Sequence, residues 1–276
     1  MSSRRDFLRA AALAGLAPWG RLARDARLGR IGIQLYTVRR EFARDPEGTL
    51  ARVARLGYRE LELWGPRPGT AAELRAMLDR HGLAAPSSHV GLSELVADGA
   101  RTLEQAALLG QHFIVVASLA PKDRATLDAW KRTAEAFNRV GEAARAHGLQ
   151  FGYHNHEAEF APLEGQVPYD VLLAATDPRL VRLEMDLYWI TRAGKDPLDY
   201  FARWPGRFPL VHVKDMDSTP RRDFTEVGRG SIDFRRIFRR AKQAGIRHYF
   251  YEQDETAGDV FASAKASYDY LRALTF

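Results

Sequence analysis

The sequence predicts a single (β/α)8 barrel, or TIM barrel, and three observations support this fold class. Eight short β-rich runs alternate with helical stretches in the residues from Ile31 onward. Their total length matches the usual size of such a barrel. No glycine-rich turn follows the first run, whereas a doubly wound sheet would carry one there. Because no linker or low-complexity tract interrupts the pattern, residues 31–276 are expected to form one domain.

The expected strands follow one another at regular intervals. In chain order they are IGIQLYT (31–37), YRELELW (58–64), LAAPSSHV (83–90), HFIVVAS (112–118), LQFGYHNH (149–156), VRLEMDLYW (181–189), FPLVHVKD (208–215) and RHYFYEQDE (247–255). Each run is short enough to be one barrel strand and is rich in the residues that strands prefer.

The helices between these strands have recognisable ends. Asp45 is expected to cap a helix that begins at Pro46 and ends at Gly57. Thr70 and Glu73 fit a capping box. Further helices are expected to end at Gly82, Gly110, Gly148 and Gly245. Their charged residues lie opposite leucine and alanine stripes, as on the outer face of a barrel.

The last two helices are expected at SIDFRRIFRRAKQAG (231–245) and DVFASAKASYDYLRAL (259–274). The segment VGRGSIDF has the form of a phosphate-binding loop, because Gly228 and Gly230 precede a helix. An ordinary glycine loop, with Ser231 as the cap of the following helix, is the preferred interpretation.

Residues 1–30 form a basic leader. They carry seven arginines and two aspartates, a net charge of +5, so the rest of the chain carries only +1 of the total +6. The stretch SRRDFLRAAALAGLAPWG joins paired arginines to an apolar run too short to span a bilayer, and it resembles a twin-arginine export signal. A basic N-terminal helix or tail is the alternative. We expect export to the periplasm, with no stable membrane association afterwards and no nucleic-acid partner.

Metal-binding side chains occur in pairs late in four neighbouring strands. Residues two apart on a strand share a face, and the pairs are His154 with His156, Glu184 with Asp186, His212 with Lys214, and Glu252 with Asp254. In a (β/α)8 barrel the active site forms at the carboxyl ends of the strands. Imidazoles and carboxylates from adjacent strands therefore indicate a divalent-metal site.

The chain resembles the xylose-isomerase-like TIM barrels over nearly its whole length after the leader. The resemblance runs through IGIQLYTVR, GYRELELWG, YHNHEAEF, MDLYWITRAGKDP, VHVKD, VGRGSIDF and YFYEQDE. The combination of YHNH, DLYW and HVKD is similar to an exported, sugar-isomerase-like branch. The family includes sugar-phosphate isomerases and epimerases, ketose 3-epimerases, inosose dehydratases and apurinic endonucleases.

The resemblance implies one bound divalent ion, with Mn, Zn, Fe, Co and Mg as the possible metals. Asp186, His212 and Glu252 match the family ligands on strands six, seven and eight. Many members have a glutamate on strand five where this chain has His154. His154 is therefore expected to take the ligand position, and Glu159 is the alternative ligand.

The implied reaction removes a proton next to the carbonyl of a keto-sugar or related polyol and gives an enediolate. Glu252, His156 or Glu159 is expected to remove that proton. By the same resemblance, Glu62 and His89 are expected to contact the substrate. Structural hydrogen bonds are the alternative role for Glu62 and His89.

Two further side chains are expected at the rim. Lys214 is expected to hold the enediolate oxygen, or else to pair with Asp215 or Glu184. Trp189 is expected to form an apolar wall for a sugar ring, with core packing as the alternative.

Several functions remain open from the sequence. A metal-dependent isomerase or epimerase acting on a small carbohydrate is the first expectation. A lyase, either a dehydratase of the inosose type or an enzyme that eliminates from 3-keto glycosides, is the alternative enzyme. A sugar-binding barrel without catalytic activity is the alternative of another class. Apurinic endonuclease activity is disfavoured, because the chain after the leader is nearly neutral.

Overall fold

The chain forms the closed (β/α)8 barrel that the sequence predicts. The computed structural model describes residues 26–276. The strands are β1 (Gly32–Gln34), β2 (Glu60–Leu63), β3 (Ala84–Val90), β4 (Phe113–Val116), β5 (Gln150–His154), β6 (Val181–Asp186), β7 (Leu210–Val213), β8 (Asp215–Met216), β9 (Phe224–Thr225) and β10 (His248–Tyr251). Eight of them close a parallel barrel in the order β1, β10, β7, β6, β5, β4, β3, β2, and β8 pairs with β9 in a separate hairpin.

Helices cover the outside of the barrel. They are α1 (Arg39–Arg44), α2 (Pro46–Leu56), α3 (Ala71–Arg80), α4 (Leu92–Leu108), α5 (Leu127–Ala146), α6 (Pro168–Ala175), α7 (Leu187–Arg192), α8 (Pro197–Arg203), α9 (Phe234–Phe238), α10 (Ala241–Ala244) and α11 (Val260–Ala273). The expected cap at Asp45 and the capping box of Thr70 with Glu73 are confirmed. None of the helices found in residues 26–276 is long and apolar enough to cross a membrane.

The export prediction concerns residues 1–30, most of which lie outside the described part of the chain. Ala26, near the end of the expected leader, already belongs to the folded body. Its backbone exchanges two hydrogen bonds, of 2.8 and 3.0 Å, with the C-terminal residue Phe276. The described fold therefore begins a few residues before Ile31.

An apolar layer fills the middle of the barrel, below the carboxyl ends of the strands. Phe113, Val115, Leu210 and Phe250 form this layer. Gly32 lies beside Phe250 in the register of β1 and β10, and a Cβ atom at Gly32 would overlap the Phe250 ring. Because Gly32 has no side chain, the Phe250 ring can occupy this space. Side chains nearer the carboxyl ends rest on this layer.

The sixth expected strand is shorter than VRLEMDLYW suggests. It ends at Asp186, whose Oδ1 accepts the backbone N–H groups of Tyr188 and Trp189 at 2.8 and 3.0 Å and so caps α7. The expectation that Trp189 continues the strand is wrong, because this carboxylate starts a helix there.

The expected helix at 231–245 is also different, because it divides into α9 and α10. Asp233 caps α9 by accepting the Arg236 amide at 2.9 Å, whereas the Ser231 hydroxyl donates to the Met216 carbonyl at 3.0 Å. The prediction that Ser231 is the cap is wrong. The serine instead ties the preceding loop to the hairpin.

The loop VGRGSIDF wraps around an internal carboxylate. Asp215 Oδ2 accepts the amides of Gly228 and Gly230 at 2.9 and 3.1 Å, and its Oδ1 accepts the Ile232 amide at 3.2 Å. A Cβ atom at Gly230 would overlap this carboxylate, so the glycine permits the close approach. The amides that would bind a phosphate are thus occupied by Asp215, which supports the ordinary loop.

Candidate metal centre and active site

Acidic and basic side chains meet inside the barrel at the carboxyl ends of the strands. The strand register aligns His154 with Glu184, and Asp186 with His212. Aligned residues of parallel strands point to the same face, so these four side chains enter the interior together. All four are buried. The pairing of imidazoles and carboxylates that the sequence predicts at this edge is therefore present.

Three imidazoles surround one carboxylate oxygen. Glu184 Oε2 lies 2.7 Å from His89 Nε2, 3.1 Å from His154 Nδ1 and 3.2 Å from His212 Nε2. The four residues each offer a potential metal ligand, and the four ligand atoms all lie within 4.8 Å of one another. We call this group the inner cluster.

A second group lies on the other side of His212. Asp186, His212 and Glu252 also offer ligand atoms within 4.8 Å of one another. His212 Nδ1 lies 2.8 Å from Glu252 Oε2 and 3.9 Å from Asp186 Oδ2. We call this group the outer cluster. It contains three of the four ligands expected from the sequence.

The fourth expected ligand, His154, belongs to the inner cluster. Its Nε2 is 3.7 Å from Asp186 Oδ2, so the two clusters adjoin. Sequence reasoning placed Glu184 on the same face as Asp186 but did not include it among the ligands. Side chains alternate in direction along a strand, and this alternation could have identified Glu184 as a further ligand candidate.

Glu62 lies beneath His89 and His212, and the protein already occupies both of its oxygens. Oε1 accepts the Ser87 hydroxyl at 2.5 Å, while Oε2 accepts the Gln34 amide at 2.8 Å and lies 2.6 Å from His212 Nε2. Glu62 is fully buried. The structure therefore gives Glu62 the alternative role, that of a structural hydrogen-bond acceptor that orients the imidazoles.

Lys214 joins the outer cluster to the rim. Its Nζ lies 3.1 Å from Asp186 Oδ2, 2.7 Å from Glu252 Oε2 and 2.9 Å from Asp254 Oδ1. The expected alternative partners, Asp215 and Glu184, are not its partners within residues 26–276. Asp215 is engaged by the glycine loop, and Glu184 by the imidazoles.

Glu159 does not reach either cluster. Its Oε1 accepts the Tyr153 hydroxyl at 2.7 Å, and its Oε2 accepts the backbone N–H of His156 at 3.0 Å. These bonds fix the turn after β5. The alternative assignments of Glu159 as a metal ligand or as the base are therefore not supported by its position.

His156 and Trp189 lie side by side at the rim. Their ring centroids are 5.6 Å apart, and His156 also meets His154 edge-on at 4.9 Å. Lys214 Nζ lies 5.5 Å from the Trp189 ring centroid. Trp189 thus stands among charged and titratable groups, although it is carried by α7 instead of by a strand.

Charges of opposite sign determine the protonation of the inner cluster. Burial opposes the charged form of His89, but Glu62 and Glu184 outweigh it and raise the pKa of His89 to about 9. Burial and Glu62 act to raise the pKa of Glu184, yet His212 and His89 lower it to about 2. For His154, burial and the neighbouring His212 hold the pKa well below its ordinary value.

Neighbouring groups of opposite charge also determine the protonation of the outer cluster. Burial opposes charge on His212, but Glu184 and Glu252 raise the pKa of His212 well above its ordinary value. Burial likewise opposes charge on Glu252, but Lys214 and His212 hold the pKa of Glu252 well below its usual range. Burial raises the pKa of Asp186, and Lys214 partly offsets this effect.

The donor set fits a divalent cation. Within residues 26–276, the buried atoms Glu184 Oε1 and Asp186 Oδ2 have no hydrogen-bond donor, although Lys214 Nζ is near the second of them. A buried carboxylate oxygen without a donor is costly, and a bound cation would satisfy it. Mixed imidazole and carboxylate ligands suit transition metals and zinc.

A cavity opens beside the inner cluster, over the carboxyl ends of β2, β3 and β4. It has a volume of about 540 Å³, and His89 is the member of the clusters that lines it. Trp64, Arg67 and Glu94 form other parts of its wall. His89 therefore faces both the carboxylates and a space of ligand size, and its contact with a substrate stays a prediction.

The fold and these side chains can be compared with known proteins. Residues 50–274 match the family described as xylose isomerase-like TIM barrels. The chain belongs to this family. The resemblance seen in the sequence is thereby confirmed, and with it the expectation of an enzyme family that acts on small, sugar-like molecules.

Among curated proteins, the chain is similar to inosose dehydratase from Lacticaseibacillus casei, with 29% identity over 171 residues. The match covers 55% of this chain and 57% of that protein. An inosose dehydratase from Clostridium perfringens is 27% identical over 165 residues. The match thus spans little more than half the length of these relatives.

Among solved structures, a sugar phosphate isomerase/epimerase from Parabacteroides distasonis superimposes with a TM-score of 0.77 at 29% identity. The match covers 90% of this chain and 95% of that one. The IOLI protein, solved with a bound zinc atom, has a TM-score of 0.70 at 14% identity and covers 90% of this chain and 99% of its own. The second likeness is one of fold alone.

Proposed function

We propose that the protein is a divalent-metal-dependent enzyme that removes a proton from the carbon beside the carbonyl of a keto-sugar or related polyol. The observation that carries this proposal is the pair of adjoining clusters that share His212 and contain two carboxylate oxygens without a hydrogen-bond donor in residues 26–276. Isomerisation or epimerisation is the first outcome that we propose for the resulting enediolate.

His154, Asp186, His212 and Glu252 are the proposed metal ligands, and Glu184 is a further candidate. A divalent cation held by these groups would polarise the substrate carbonyl and acidify the adjacent C–H bond. Mn, Zn, Fe, Co and Mg remain the candidate ions. The zinc atom in the distantly similar IOLI structure supports a metal in this fold without choosing among them.

His156 is the proposed base. Burial lowers the pKa of His156, and Lys214 adds to this effect while Glu159 opposes it. The ring is therefore neutral near pH 7 and has a nitrogen able to accept a proton. Its place beside Trp189 would bring it to the edge of a sugar ring stacked on the indole.

Lys214 and Glu252 have complementary roles in the proposal. Asp186, Glu252 and Asp254 outweigh the effect of burial and keep the pKa of Lys214 high, so its ammonium group is available to donate to an oxygen that gains negative charge. Glu252 stays ionised beside Lys214 and His212. It is the second candidate for proton removal or return.

A lyase is the second candidate function, and the similarity to inosose dehydratases favours it. The first step is the same in both reactions. Return of the proton to another atom of the enediolate gives an isomer or epimer, whereas departure of a group one carbon further gives an unsaturated product. A barrel that only binds sugars would do neither.

Isotope exchange tests the shared first step. Metal-loaded protein in D2O should place deuterium on the carbon beside the carbonyl of inososes or 3-keto glycosides. His156→Asn should abolish exchange while cation content is retained, and the exposed variant Glu135→Gln should behave as the wild type. Retained product mass indicates an isomerase or epimerase, and loss of water or an aglycone indicates a lyase. Absence of exchange and turnover across this panel would favour the sugar-binding barrel.

A further inference from the structure

Arg67 is unusual among the arginines that are at least half-buried in residues 26–276. The others each donate a hydrogen bond to the protein, and they are Arg39, Arg75, Arg182, Arg192 and Arg207. Arg67 has no hydrogen-bond acceptor and no carboxylate within 4.0 Å in this part of the chain. The residue is nevertheless half-buried and lines a cavity.

Among residues 26–276, one acid acts on Arg67, and it does so from more than 4.0 Å. Burial lowers the pKa of Arg67, and the charge of Glu94 only partly offsets the effect. Glu94 Oε1 already accepts the Thr102 hydroxyl at 3.0 Å. A half-buried guanidinium group without an acceptor in the protein is free to donate to a ligand, and its hydrogen bonds to an anion would be stronger than those between neutral groups.

Arg67 lines the same 540 Å³ cavity as His89, and this volume lies within the usual range for small-ligand sites. Trp64 forms an aromatic wall of that cavity. Its ring is fixed by an edge-on contact with Tyr36 at 4.7 Å, and 37% of the residue remains exposed. The cavity therefore offers, next to the inner cluster, an aromatic face and a cation that has no ion-pair partner among residues 26–276.

The surroundings of the cavity favour anions as well. Gly91 and Ser118 line both this cavity and a neighbouring groove, so the two spaces adjoin. The groove carries three cations, Lys122, Arg132 and Arg139, and one acid, Asp123. Such an excess of positive charge raises the local concentration of anionic ligands.

We propose that Arg67 determines specificity by binding an anionic substituent, a carboxylate or a phosphate, on the sugar substrate. This inference rests on the proposed function, in which the two clusters act on the reacting carbon of the sugar that Arg67 binds. The anionic substituent lies beside Trp64 and meets the guanidinium fork, while the reacting carbon of the same molecule reaches the clusters.

Matched ligands test the inference without any turnover. Isothermal titration of the full protein at low salt would compare glucose, glucuronate, glucose 6-phosphate and inorganic phosphate. One or both charged sugars should bind at least about tenfold more tightly than glucose, the scale of a charge-assisted hydrogen bond in a desolvated site. The sugar with the larger gain identifies the substituent as a carboxylate or a phosphate.

Variants then assign the preference to Arg67. Arg67→Gln should remove the preference and leave glucose binding unchanged, while Arg67→Lys should restore part of it. Arg55→Gln, which removes an exposed arginine of α2, should match the wild type. Equal affinity for neutral and charged sugars, a preference that survives Arg67→Gln, or binding of inorganic phosphate alone would overturn the inference.

The two proposals fail in different ways. Isotope exchange with neutral inososes and no preference for charged sugars would count against the role of Arg67 alone. An intact preference for charged sugars that depends on Arg67, without isotope exchange by any keto-sugar, would count against the proposed reaction alone.

Discussion

Glu184 Oε2 lies 2.7 Å from His89 Nε2, although the two residues are 95 positions apart in the chain. The contact crosses the barrel interior from β6 to β3. It shows that the imidazoles and carboxylates do not form a row along four neighbouring strands. They form one connected network in which His212 contacts Glu62 and Glu184 through one ring nitrogen and Glu252 through the other.

The first prediction concerns the negative charge at the centre of that network. Glu184→Gln keeps the size of the side chain but removes the charge that three imidazoles share. Cation affinity, measured by titration of chelator-treated protein, should fall by roughly 10- to 100-fold, the usual effect of losing a ligand or its supporting group. Asp186→Asn should have a comparable effect, and the exposed variant Glu135→Gln should have none.

The two variants also distinguish the clusters. Loss of affinity in Asp186→Asn alone would assign the metal to the outer cluster. Loss in Glu184→Gln alone would assign it to the inner cluster. Unchanged affinity in both variants would mean that neither group holds the ion.

The second prediction concerns protons released on metal binding. The pKa of His89 is raised to about 9 and that of His212 lies well above its ordinary value, so both rings are protonated near pH 7. A cation that binds either ring nitrogen must displace its proton. Below these pKa values, cation affinity should therefore rise with pH, by about tenfold per pH unit for each proton released.

Calorimetry in buffers of different ionisation enthalpy would measure this release. We expect close to one proton or more per cation between pH 6 and 8. A cation affinity that is constant over this range would contradict the assignment of either protonated imidazole as a ligand. The variant His212→Ala should lose both the affinity and the proton release.

The sequence predicts faces of strands well and distances across a closed barrel poorly. His154, Asp186 and His212 were found because alternation along a strand determines which side chains point inward. The contact of Glu62 with His212 was missed because it joins β2 to β7, and only closure of the barrel brings these strands opposite each other. The ends of strands were also predicted too far along the chain.

One side chain explains the error at the end of β6. Asp186 uses one oxygen to cap α7 and directs the other toward Lys214. The strand-like residues after it, including Trp189, therefore become helical. A hydrophobic pattern does not reveal that a carboxylate will be placed to start a helix, because the pattern records burial and not the direction of the backbone.

The third prediction concerns the leader, which lies mostly outside the described residues. If Arg4 and Arg5 form an export signal, replacing both by lysine should retain the protein in the cytoplasm, because the paired arginines are the recognised feature. Fractionation of cells that express the full chain would measure this. Equal periplasmic recovery of the wild type and the double variant would contradict export through a twin-arginine signal.

The last prediction concerns the floor of the site. A Cβ atom at Gly32 would overlap the Phe250 ring, which meets His212 edge-on with centroids 6.4 Å apart. Gly32→Ala should therefore lower the free energy of unfolding by about 1–3 kcal/mol, as overpacking of a filled core does. Because the displaced ring pushes on His212, cation affinity should fall as well. Gly29→Ala is the matched control, since a Cβ atom there meets nothing within 4 Å. Denaturant unfolding and cation titration would measure the two effects, and wild-type values for Gly32→Ala in both would show that Phe250 does not support His212.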